Sequence, residues 1–261
     1  MRKYFAIFRA TLSNSLAYPG ELFGRALLIL PFMWIFYQLW RVTFTAAGVE
    51  ELNGLTLGMT LWYLMLAETI EISRPRLGKT ISDAIKDGSV AYILGKPYDF
   101  LLYHYSNSLG ETVFRAVLNA LLGGALVWLL VGPPPDLLGW PLVLLAVLGA
   151  WTLNFCVTAM IGLLAFVVED VSAFEWIYQK LAFILGGLLI PLDFYPAWLQ
   201  SLAKALPFSA MIYAPARLFV APSLPALAAT LGLQLAWIGG LALLLLIFYR
   251  RSLAYLSVNG G

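Results

Sequence analysis

Between Asp136 and Glu169 the chain carries no charged residue. A helix needs about 20 apolar residues to cross the hydrocarbon core of a bilayer, and this interval is longer than that. Other blocks behave alike. Residues 24–46, 55–72, 113–131, 138–168, 174–190 and 224–249 read as six transmembrane helices. Composition supports the reading: 61% of residues are hydrophobic and only 11% are charged, and mean hydropathy is +0.84. Soluble domains carry about 25% charged residues, so most of this surface has to face lipid. The expectation is an all-α membrane protein, with one transmembrane domain over residues 1–261.

The basic residues orient the spans. With six crossings both ends fall on one side, and thirteen of the sixteen Lys and Arg residues fall on that same side. Only Arg41, Lys204 and Arg217 fall opposite. Positive charge concentrates in cytoplasmic loops, which predicts cytoplasmic termini and a multi-pass plasma (inner) membrane protein. The segment after Met1-Arg2-Lys3 is interrupted by polar residues and lacks the apolar core and cleavage site of a secretory signal. Phe5, Phe8, Leu12 and Leu16 recur at helical spacing among Arg2, Lys3, Arg9, Ser13 and Asn14. Residues 1–18 therefore read as a cytoplasmic interfacial helix, broken from the first span at Pro19-Gly20.

Two connections are long enough to carry function. In the cytoplasmic stretch 73–111, Ile81, Ala84 and Ile85 share one helical face. Asp83, Lys86 and Asp87 sit among them and Gly88 is a natural stop. This short amphipathic helix fits two readings, a solvated loop packed on its own helix ends or a docking surface for a cytoplasmic partner. The outer stretch 191–223 is apolar yet punctuated by Pro191, Pro196, Pro207, Pro215 and Pro222. Proline stops helices, so a pair of short helices over 197–205 and 209–219 is expected, re-entrant or interfacial.

Chemistry is sparse. One cysteine, Cys156, and one histidine, His104, exclude an internal disulfide, a cysteine metal cluster and any two-imidazole site. Neither a catalytic motif nor a metal site is visible, and no basic stripe is present to bind nucleic acid. Gly78-Lys79-Thr80 resembles the end of a phosphate-binding loop, but Ser73 stands where that loop requires its first glycine. If ATP energises transport, another chain hydrolyses it.

Glu68 and Glu71 share a face near the inner end of the second span. Carboxylates there either face a cavity or sit at headgroup level, meeting water or Arg74. Lys180 either snorkels to the inner surface or pairs with Glu68. Asn154 is suited to an interhelical hydrogen bond, with substrate contact as the alternative. Gly123-Gly124 and Gly186-Gly187 allow close helix approach, within the chain or at a subunit interface.

Three stretches resemble the permease subunits of ABC-2 type ABC transporters, closest to the six-span subgroup whose ATPase is a separate polypeptide. The first is Ile81-Ser82-Asp83-Ala84-Ile85-Lys86-Asp87-Gly88 with the apolar run ending in Lys96-Pro97. Gly95-Lys96 stands where the subgroup usually has an arginine. The second is Gly186-Gly187-Leu188-Leu189-Ile190-Pro191 with Tyr195-Pro196-Ala197-Trp198-Leu199 and Leu206-Pro207. The third is Tyr249-Arg250-Arg251 with Val258-Asn259-Gly260-Gly261.

The resemblance implies an exporter in which two permeases, identical or related, pair and each docks an ATPase holding ATP and Mg. It implies a coupling helix, with Ala84 and Gly88 among its residues, in which Ile81 and Ile85 supply the buried contact and Asp83, Lys86 and Asp87 set the polar register. On that basis Ile85→Asp should abolish transport without blocking membrane insertion. It further implies a path lined by the second and fifth spans, with Glu68, Glu71, Asn154, Gly186, Gly187 and Pro191 as path or gate residues. The rival reading is a secondary transporter or channel that needs no ATPase.

Overall fold

The computed structural model describes residues 2–17, 19–136 and 139–259. Met1, Tyr18, Leu138, Gly260 and Gly261, which belong to expected segments or to the terminal motif, lie outside the described residues.

The chain opens with helix α1 (Arg2–Ala17), α2 (Pro19–Ala26) and α3 (Ile29–Ala47). Gly48, at φ +65°, ends α3 and donates its N–H to Phe44 O and Thr45 O, a left-handed cap that glycine adopts without strain. Next come β1 (Glu51–Leu52) and β2 (Leu55–Thr56). Glu51 pairs with Thr56 and Leu52 with Leu55, antiparallel. Asn53 and Gly54 have φ of 50° and 77°, the positive values a two-residue hairpin turn requires. A small ribbon thus occupies the loop expected before the second span. Thr56 then accepts a hydrogen bond from Met59 N at 3.2 Å and caps α4 (Leu57–Ile72).

The remaining helices are α5 (Leu77–Lys86), α6 (Val90–Leu94), α7 (Phe100–Val131), α8 (Gly139–Leu163), α9 (Ser172–Leu185), α10 (Ala197–Ala205), α11 (Pro207–Met211), α12 (Tyr213–Val220) and α13 (Leu224–Asn259). Among the described residues, four helices are long and apolar enough to cross a bilayer: Phe23–Ala47, Phe100–Val131, Trp140–Phe166 and Leu224–Leu253. α4 has 16 residues and α9 has 14. At about 1.5 Å per residue these reach roughly 24 and 21 Å, short of a hydrocarbon core of about 30 Å.

Three expected boundaries are corrected. The third span begins at Phe100, not at residue 113, because the Asp99 carboxylate accepts from Leu102 N at 2.9 Å and caps the helix well ahead of its apolar half. Most of stretch 73–111 is thus helical. The fifth span stops at Leu185, not at Ile190. Gly187 turns to φ +72°, and a Cβ there would lie 2.9 Å from Tyr63 Oη. The second outer helix is split at Ile212, at φ −122° and ψ −61°, into α11 and α12. α10 has the expected bounds, with Pro196 before it and Pro207 after it.

α4 is the centre of the molecule. It packs against α3, α7 and α12, and Leu61, Trp62, Tyr63, Leu64 and Met65 are consecutive and fully buried. A helix buried on every side is the innermost element of its bundle. Small residues let its neighbours approach, and here the glycine pairs serve contacts within the chain. A Cβ on Gly123 of α7 would meet Ile29 Cδ1 at 2.8 Å and Met65 Cγ at 3.3 Å. Trp62 Nε1 reaches Gly132 O at 3.2 Å, which sets α4 and α7 antiparallel. α8 packs against α13, α5 and α12, while α1 lies along α7. That crossing is tight, since a Cβ on Gly110 would lie 2.9 Å from Phe8 O. It is pinned by Thr11 Oγ1 on Asn107 Oδ1 at 2.8 Å and Lys3 Nζ on Pro97 O at 2.6 Å.

Candidate functional site

Two regions collect the polar side chains of this apolar molecule, one at each end of the bundle. The first lies where α4 hands over to α5. Arg74 follows α4 and its side chain is only 12% exposed. It forms an ion pair with Glu71 and a hydrogen bond to Asn154 of α8. It also donates to Tyr178 Oη of α9 at 3.1 Å, and Tyr178 donates in turn to Asn154 Oδ1 at 2.7 Å. Arg115 of α7 reaches Arg74 O at 3.5 Å and pairs with Glu111 at 2.9 Å. Asn119 donates to Ser73 Oγ at 3.1 Å. One turn of chain thereby ties α4, α7, α8 and α9 together. Buried charge persists when it is paired and hydrogen-bonded, and Arg74 has both.

Glu71 therefore meets Arg74, and Asn154 links helices. Glu68, 5% exposed, has no hydrogen bond or ion pair among the described residues. Lys180 is exposed, with its ammonium 5.5 Å from the Trp176 ring centroid and 5.3 Å from that of Phe183, so it does not pair with Glu68. His104 is buried inside the bundle. It is 4% exposed, set edge-on to Phe100 and Tyr103 with centroids at 4.5 and 5.1 Å.

α5 lies beside this cluster and packs against α8. Its apolar face is already used within the chain. Ile81 is fully buried, and a Cβ on Gly162 of α8 would approach Ile81 Cβ at 2.8 Å and Gly78 O at 2.9 Å. Ala84 and Ile85 are half-buried. This corrects the expectation that Ile81 meets a partner, because no surface of it remains. What α5 shows outward is Lys79, Thr80, Asp83, Lys86 and Asp87, followed by Gly88 and Ser89. The Ser89 hydroxyl and N–H hold the Asp87 carboxylate below its usual range, and the N–H bond is 2.8 Å long. Asp87 and Gly88, at φ +79°, so form a defined turn rather than a loose loop.

The second region is the apolar segment after α9. Tyr63 of α4 donates to Gly187 O at 2.8 Å. Pro191 is buried and starts the turn 192–194. Asp193 accepts from Tyr213 Oη at 3.0 Å and lies 3.6 Å from Arg217 Nε. Arg217 Nη2 reaches Gly54 O at 3.4 Å, which fastens α12 to the ribbon. α11 runs deeper into the bundle. Gln234 of α13, 1% exposed, donates to both Ala146 O (2.7 Å) and Ala210 O (3.0 Å). Met211 Sδ lies 3.5 Å from Tyr178 Oη. Tyr178 thus touches both regions. Sequence reading missed Tyr178 and Gln234, because a single tyrosine or glutamine in an apolar helix does not reveal which neighbours it faces.

Burial also revises the expected path. α4 has no free face along Leu61–Met65, so the second span cannot meet a second chain there in this conformation. α9 does have one, with Ile177, Leu181 and Ile184 exposed at helical spacing.

A family model described as ABC-2 family transporter protein matches residues 22–260. The chain belongs to that family. It is a membrane component of a transporter, consistent with its long apolar helices. Among curated proteins none matches it.

Proposed function

We propose that this ABC-2 family membrane protein is the permease subunit of an ATP-driven exporter in the plasma membrane. It crosses the bilayer six times with both termini in the cytoplasm. α4 and α9 are the second and fifth spans, completed by the ribbon and by segment 186–191 packed around them. Non-helical backbone at membrane depth is tolerated where protein covers it. A second permease, identical or related, pairs along the exposed apolar face of α9. Separate ATPase subunits hold ATP and Mg and dock on α5.

The observation that carries this reading is the division of α5. Its apolar face is wedged on α8 beside the Arg74 cluster, and its polar edge, Asp83, Lys86 and Asp87, is presented outward. An element held rigidly on one side and free on the other can pass on a push from a partner. The test is purification in mild detergent from the native membrane, with an ATPase assay. An ATPase should co-purify with the chain, and Asp83→Lys with Lys86→Glu should lose it while the chain stays membrane-inserted. Recovery of the chain without ATPase under several gentle conditions would instead favour a secondary transporter, in which the unpartnered Glu68 supplies the coupling carboxylate.

A further inference from the structure

We propose that the arginine-lined cleft between α2, the α4–α5 turn and α7 binds the phosphate group of an anionic amphiphile. The cleft has a volume of about 590 Å³, and four guanidinium groups line it, from Arg25, Arg74, Arg76 and Arg115. Among the described residues, Glu111 is the one carboxylate in the lining. Arg115 is paired with Glu111, Arg74 with Glu71 from outside the cleft, and Arg25 is itself engaged. Among the described residues Arg76 forms no side-chain hydrogen bond or ion pair and is exposed, with Glu175 attracting it electrostatically. Guanidinium forks match phosphate oxygens in geometry and charge. A cleft that gathers several guanidinium groups at a low-dielectric boundary attracts an anion more strongly than a flat basic surface does.

Two further features select an amphiphile. Leu28 and Ile72 line the same cleft. Leu28 and its neighbour Leu27 are 58% and 39% exposed at the start of α3, so an acyl chain has an apolar track leading from the phosphate site. Asn119 also lines the cleft, and its buried Oδ1 lacks a donor. It is available to a headgroup hydroxyl or ammonium once the phosphate is seated. The shared chemistry is a phosphate mono- or diester, from a lipid headgroup or from a soluble compound. Binding does not require that the chain transport anything.

The full chain in detergent, studied by native mass spectrometry, tests this with dioleoylphosphatidylglycerol, dioleoylphosphatidylcholine and inorganic phosphate as probes. The unaltered chain should retain the anionic lipid in preference to the zwitterionic one, less so at high salt. Arg76→Gln should weaken that retention roughly tenfold, the size of one lost charge-assisted hydrogen bond. Arg251→Gln, a basic residue outside the cleft, should leave it unchanged, and a melting curve checks that both variants stay folded. The lipid should persist in millimolar inorganic phosphate, which identifies the inner leaflet as its source, and displacement by phosphate would overturn the amphiphile assignment in favour of a soluble phosphate ester. Equal retention of the two lipids, or equal retention by Arg76→Gln and Arg251→Gln, overturns the proposal.

Discussion

Arg74 carries more of the molecule's polar bonding than any neighbouring side chain. It is held by Glu71, Asn154 and Tyr178, one from each of three helices. Removing it leaves Glu71 buried without a counter-charge, and breaking a buried pair from one side costs about 3–5 kcal/mol. Arg74→Ala should therefore lower the apparent melting temperature in detergent far more than Arg115→Ala, whose pair with Glu111 is 25% and 30% exposed. Glu71→Ala added to Arg74→Ala should restore part of the loss, since it removes the orphaned carboxylate. A double variant no more stable than Arg74→Ala alone would mean that the pair does not hold the turn. The sequence already offered Arg74 as the partner of Glu71 and Asn154 as a helix linker, because charge and amide inside apolar helices have few alternatives. Tyr178 was not legible. Its hydroxyl is one polar atom on a large apolar body, and only the packed structure shows where that atom points.

At the scale of elements, α5 and α8 meet where Gly162 removes a side chain. Gly162→Val would drive atoms into Ile81 and the Gly78 carbonyl, and overpacking of that kind costs about 1–3 kcal/mol. α5 should lift. With Ser82→Cys as reporter, from a position 1% exposed, maleimide labelling should be slow in the parent and about tenfold faster with Gly162→Val. Equal rates would show that α5 is held elsewhere. The same geometry changes the meaning of Ile85→Asp. Ile85 is half-buried against the core, so loss of transport in that variant reports damaged packing as well as lost docking, and Lys86→Glu is the cleaner probe. Element boundaries were legible where local chemistry sets them. Prolines bracket α10, and its bounds came out as read. Asn53-Gly54 is a hairpin signal, but strands of two residues each leave no alternation to read. The extent of α7 was hidden because its cap, Asp99, precedes a polar half that does not look membranous. The central position of α4 was hidden for another reason: lipid-facing and core-facing side chains have the same apolar composition, so periodicity cannot separate them.

At the scale of the whole molecule, the two polar regions are joined. The path runs from α5 and Arg74 through Asn154 and Tyr178 to Met211, then along α11 to Gln234. Because Cys156 is the single cysteine and is buried, engineered cysteines report sidedness cleanly. Ser201→Cys on α10 should react with an impermeant maleimide from outside intact cells, and Ser89→Cys only after permeabilisation. The opposite pattern would invert the proposed topology. The joint itself is tested by Tyr178→Phe. That change keeps the ring between α8 and α11 and removes only the hydroxyl that accepts from Arg74 and donates to Asn154. A hydrogen bond to a charged group contributes about 1.5–3 kcal/mol, so its loss should loosen the link without unfolding the bundle. With spin labels at Tyr92, exposed on α6 beside α5, and at Ser201 in the assembled, ATP-hydrolysing complex, the parent should show nucleotide-dependent distance changes between paired chains at both labels. Tyr178→Phe should keep the change at Tyr92 and lose most of it at Ser201. If both changes survive, motion reaches the outer helices through the span backbones, and the Tyr178–Met211 contact serves packing alone.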